Sequence, residues 1–193
     1  MHHTIEPYKC KQLISLIYNK NNVGCMKIIT EQIIEQTRQE ILSYKKDKID
    51  VEFSRFCQRQ PNLTDFIIEF TQDQNQEAIE RCLFIFFVIC RAFENSTEKR
   101  ISPISFDEIE TIFEKNETLI VNMKGIHERF FERITMVRLL NQPFLLKYIT
   151  QSLLEESNNE YLFSEKETGY LFFLLITVID VFDEALQKPA SNK

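Results

Sequence analysis

The sequence predicts an all-α protein, a single compact bundle of about eight to ten helices around two very apolar central ones. Apolar residues recur at three- and four-residue steps along most of the chain, and no stretch sustains a period of two. With 3 Gly and 5 Pro in 193 residues, the turn residues that a β-sandwich or barrel demands are missing. Hydrophobic residues at 44% and charged residues at 27% match an ordinary globular composition and exclude wholesale disorder. The expected domain covers 1–187, with 188–193 (KPASNK) a frayed tail.

In chain order, Cys10 to Asn19 reads as a short helix carrying Leu13, Ile14 and Ile17. A second, from about Cys25 to Lys45, places Met26, Ile29, Ile33, Ile34, Thr37, Ile41 and Leu42 on one stripe. A third, Asp50 to Arg59, turns Phe53, Phe56 and Cys57 inward and ends near Pro61, whose ring cannot continue a helix. Thr64 offers a capping hydroxyl, with Leu63 and Ile68 at staple positions, for a short helix from Asp65 to Gln72.

Asn75 caps the next helix, 76 to 93, in which apolar residues fill every face, so burial nearly all round is expected. Ser105 with Glu108 forms a capping box opening the helix Phe106 to Lys115, stapled by Ile104 and Ile109. Thr118 to Lys124 is a separate turn or a continuation, with Gly125 as its stop. Ile126 to Asn141 follows, and Pro143 then begins a helix holding Leu146, Ile149, Leu153 and Leu154. A second capping box, Ser164 with Glu167, opens the last helix, 165 to 187, the second of the two central ones.

One internal echo accompanies this pattern. A shift of 89 residues lays Asn75 on Ser164 and LFIFFVICRAFE on FFLLITVIDVFD, with Phe93 on Phe182 and Arg91 on Asp180. Two apolar helices resemble each other anyway, the preceding segments do not align at that shift, and two copies fall short of the roughly three repeats of a solenoid, which weighs against a true duplication.

The 5 cysteines are odd in number and contain no C-x-x-C, so neither a disulfide framework nor a zinc knuckle is written, and a reducing, cytoplasmic setting is expected. The start, MHHTIEPYKC, lacks the apolar region of a signal peptide, and the longest apolar runs fall short of the ~18 to 20 residues that span a bilayer. The net charge of -6 is unevenly spread: residues 1–60 hold ten Lys/Arg against seven Asp/Glu, whereas the remainder hold thirteen against twenty-two.

Glycine-rich phosphate loops and the serine-hydrolase elbow are excluded because Gly24, Gly125 and Gly169 stand far apart. His127, Glu128 and Glu132 sit at acid-base spacing, but Arg129 and Arg133 alternate with them as in a charge-laced helix face. Asp180 interrupts an apolar run, with Asp183 and Glu184 one turn on, so these three could hold a divalent metal; Arg91 is the natural partner of a buried Asp180. Two basic sets, Lys45, Lys46, Lys48, Arg55, Arg59 and Lys124, Arg129, Arg133, Arg138, are diluted by acids, and a pI near 5.2 argues against nucleic-acid binding.

The expected function is therefore non-enzymatic, with no cofactor: a cytoplasmic protein-binding protein of immunity or antitoxin type. Its acidic C-terminal half masks a basic, nuclease-like toxin surface through Glu155, Glu156, Glu160, Glu165 and Glu167. The alternatives are an all-α metal-dependent hydrolase, with Asp180, Asp183, Glu184 and one of Glu128 or Glu132 as ligands, and a regulatory domain with a Phe-lined pocket for a small apolar ligand.

Overall fold

The computed structural model describes residues 28–98, 100–122, 141–154, 156–157, 160–161 and 163–187. Among them the chain forms seven helices: α1 (Glu31–Leu42), α2 (Lys46–Arg59), α3 (Pro61–Thr71), α4 (Gln76–Ser96), α5 (Phe106–Asn122), α6 (Pro143–Leu153) and α7 (Glu165–Gln187). A two-residue antiparallel ladder, β1 (Glu156–Ser157) with β2 (Glu160–Tyr161), joins α6 to α7 by pairing Glu156 with Tyr161 and Ser157 with Glu160. The all-α class stands, but seven described helices replace the eight to ten expected. Cys10–Asn19, all of the expected helix Ile126–Asn141 but its last residue, and the tail lie outside the described residues, and Thr118 begins no separate turn because α5 runs unbroken to Asn122.

Each helix start has a local chemical cause. The Thr30 hydroxyl accepts the Ile33 amide at 3.3 Å and opens α1, and the Asn75 side chain accepts the Ala78 amide at 2.9 Å and opens α4. Both capping boxes form. Glu108 Oε2 accepts from the Ser105 amide at 2.6 Å while the Glu108 amide donates to Ser105 Oγ at 3.3 Å, and Glu167 repeats this with Ser164 at 2.8 and 3.2 Å.

Helix α3 starts earlier than the Thr64 cap implied. Pro61, with no N–H to orphan and φ already helical, takes its first position, and Thr64 Oγ1 instead donates to the Gln60 carbonyl at 2.9 Å. Likewise α2 starts at Lys46, not Asp50, because extended Lys45 offers its carbonyl to the Lys48 and Ile49 amides. Leu154, expected inside, lies beyond the end of α6 and is exposed.

From Cys82 to Phe93 on α4, and from Tyr170 to Asp183 on α7, no residue is exposed. These two helices run parallel and side by side. Near their N-termini Asn75 Nδ2 donates to Glu167 Oε1 at 3.3 Å, and near their C-termini the Phe93 and Phe182 rings stack with centroids 5.0 Å apart. Around them, α4 also touches α1, α3 and α6, while α7 touches α3, α5 and α6. Phe66, Phe70, Phe113 and Phe173, with successive ring centroids 4.9 to 5.7 Å apart, tie α3, α5 and α7 together.

Candidate functional site

The five glutamates of the acidic segment fall into different settings. Glu155 lies outside the described residues, Glu156 and Glu160 stand on the two strands of the ladder, and Glu165 is the first residue of α7. The backbone pairing therefore draws Glu156 and Glu160 onto neighbouring strands just ahead of Glu165. Glu167 is already engaged in the α7 cap and the Asn75 contact, and the Ser164 hydroxyl and amide hold its carboxyl below the ordinary range.

Asp180, Asp183 and Glu184 do not converge as metal ligands. Asp180 is 8% and Asp183 5% exposed, whereas the Glu184 side chain is half exposed and reaches Lys115 Nζ at 3.5 Å. Asp180 Oδ2 accepts from Asn116 Nδ2 of α5 at 2.9 Å, and the same amide group reaches Thr177 Oγ1 at 3.2 Å. Asp183 Oδ1 accepts from Gln142 Nε2 at 2.8 Å, and its Oδ2 is buried with no hydrogen-bond partner among the described residues. Burial pushes the Asp183 carboxyl up to about 7, the Gln142 hydrogen bond pulling down and the Asp180 charge pushing further up. No cluster of three or more His, Cys, Asp or Glu suited to a metal occurs among the described residues, and His127, Glu128 and Glu132 lie outside them.

Arg91 pairs not with Asp180 but with Glu94 on its own helix. Arg91 Nη1 donates to Glu94 Oε2 at 2.7 Å, and Arg59 donates to Glu94 Oε1 through Nη2 at 2.7 Å and Nε at 3.1 Å. These three groups with Glu98, Arg100 and Ile101 line an open surface cavity of about 340 Å³ whose walls are charged and hold no Phe. Of the first basic set, Arg59 is thus occupied by Glu94 and Arg55 by Glu52 at 2.7 Å; of the second set, Lys124 to Arg138 lie outside the described residues. Burial pushes the Cys82 thiol up to about 12 and Cys90 well above its usual value, which leaves both unreactive.

Two buried glutamines were not singled out by sequence reasoning. Gln60 and Gln142, 2% and 1% exposed, each cap a proline-led helix with nearly the same backbone, φ −132°, ψ 62° and φ −134°, ψ 68°. Gln60 Oε1 accepts the Ile104 amide at 3.0 Å, and Gln142 Oε1 accepts the Ile29 amide at 2.9 Å. Each glutamine clasps the chain just before a capped helix in the other half of the protein. Their signal was the repeated Gln-Pro pair. No helix among the described residues is long and apolar enough to cross a membrane. Comparison of the chain with family models, with curated proteins and with solved structures returns no match.

Proposed function

We propose that the chain is a cytoplasmic, non-enzymatic protein-binding protein of the immunity or antitoxin type. In this reading it covers a basic, nuclease-like surface with the acidic segment between α6 and α7. The observation that carries the reading is the run of acids itself: Glu155, Glu156, Glu160, Glu165 and Glu167 fall in a stretch whose only base is Lys166, and the ladder sets Glu156 and Glu160 on its two strands ahead of α7. Such a concentration of one sign of charge accelerates encounter with a basic face and rejects phosphate backbones.

The test separates docking from folding. Glu167 is left intact because it caps α7, and Glu155, Glu156 and Glu160 are changed together to Lys. Association of the isolated basic partner with this variant is followed by stopped flow across a salt series. The rate should fall at least tenfold at low salt and lose most of its salt dependence, with the far-ultraviolet circular dichroism unchanged. An unchanged rate at low salt excludes the segment as the docking surface.

A further inference from the structure

Each described helix of one half, α2 apart, has a counterpart in the other half at a fixed offset, and the match extends to what is buried. Helices α1 and α5 stand 75 residues apart, from Thr30 to Ser105; the buried positions Ile34, Thr37 and Ile41 fall on Ile109, Ile112 and Asn116. Helices α3 and α6 stand 82 apart, from Gln60 to Gln142, and buried Leu63, Ile67 and Thr71 fall on Leu145, Ile149 and Leu153. Helices α4 and α7 stand 89 apart, and buried Cys82, Ile85 and Phe86 fall on Leu171, Leu174 and Leu175.

The packing is reciprocal as well. Within the halves, α1 on α4 matches α5 on α7, and α3 on α4 matches α6 on α7. Between them, α1 on α6 matches α5 on α3, α4 on α6 matches α7 on α3, and α4 meets its own counterpart α7 with Phe93 stacked on Phe182. The glutamine clasps obey the same exchange: the first half holds Ile104 of the second, and the second holds Ile29 of the first. Contacts in which i meets j and j meets i are the mark of a two-fold pair. Resemblance between two apolar helices explains one pair of elements but not three pairs with exchanged contacts.

We infer that 29–96 and 104–187 are two copies of one helical unit fused in a single chain, each unit presenting a docking face whose partner is another unit of the same kind. Offsets of 75, 82 and 89 mean that the second unit gained seven residues before α6 and seven more before α7. The latter gain can be placed. Four residues, 72–75, connect α3 to α4, whereas eleven, 154–164, connect α6 to α7. Residues 155–161, which contain the ladder, are therefore an addition that the paired scaffold does not need.

The experiment deletes 155–161 from the full chain, so that Leu154, Leu162, Phe163 and Ser164 make a connection as long as that of the first unit. A second variant keeps the whole chain and inserts a copy of those seven residues between Gln72 and Asp73. Shortening or lengthening a surface connection changes closure entropy little, so both variants should keep a cooperative thermal transition within about 5 °C of the parent. Loss of that transition in either variant overturns the inference. Partner association of the deletion variant reports separately on the acidic-docking proposal, which fails if a folded variant still associates at the parent rate.

Discussion

Replacing Gln142 by Ala strikes the clasp at two side-chain hydrogen bonds that are shielded from water. The Ile29 amide, on a fully buried residue, loses its acceptor, and Asp183 Oδ1 loses its donor beside an Oδ2 that already has no partner among the described residues. Each orphaned group costs ~1 to 3 kcal/mol, more where it is charged, so Gln142→Ala should destabilise the protein by about 3 to 5 kcal/mol. Against a total of ~5 to 15 kcal/mol this is a large fraction, and the melting temperature should fall by about 10 °C. Urea unfolding at neutral pH, followed by far-ultraviolet circular dichroism, measures it. The equivalent Gln60→Ala orphans the Ile104 amide and the Ser102 carbonyl and should cost about 2 to 4 kcal/mol. A loss below about 1 kcal/mol in Gln142→Ala refutes the view that this side chain fastens the halves together.

Asp183 sets an unusual pH dependence. Its folded value of about 7 lies above the ordinary 3.8, so the folded form keeps a proton that the unfolded chain releases; the resulting stabilisation is complete below 3.8 and is lost as pH climbs through about 7. Asp183→Asn should therefore be nearly neutral at pH 4 and stabilising above pH 7, by at most about 4 kcal/mol, in denaturant titrations at the two pH values. Phe93→Ala removes a fully buried ring stacked on Phe182 and should cost about 3 to 5 kcal/mol, whereas the same change at half-exposed Phe106 should stay within about 0.5 kcal/mol; chemical denaturation distinguishes them. Cys82 and Cys90 should resist a disulfide-exchange reagent in native buffer and react on unfolding, as mass mapping of the labelled sites would reveal.

Legibility in the sequence followed the range of the interaction. The capping boxes at Ser105 and Ser164, the Asn75 cap and Pro143 at the start of α6 are settled within four residues, and each was readable from spacing alone. The start of α3 was misplaced because two local signals competed, and Pro61, whose ring fixes φ, prevailed over the Thr64 hydroxyl. The Arg91–Asp180 pairing failed for a longer-range reason. Each residue has another partner that the spacing of the apolar run does not reveal: Arg91 meets Glu94 one turn along its own helix, and Asp180 meets Asn116 of α5, 64 residues away in sequence. The internal echo was confined to one pair of helices because a single shift of 89 cannot align segments whose offsets are 75 and 82. Gln60 and Gln142 gave no capping signal, since glutamine caps weakly and their partners lie 44 and 113 residues away.

The reciprocal clasp is most directly tested by native-state hydrogen exchange at two backbone amides, Ile29 and Ile104. Both precede a helix N-cap, where no intrahelical bond protects an amide, and both are held by a glutamine from the other half. The two-unit account predicts that both exchange as slowly as amides inside α4, through global unfolding, and that Gln142→Ala releases Ile29 while Gln60→Ala releases Ile104. Exchange of either amide in the parent protein at the rate of an unstructured loop contradicts it.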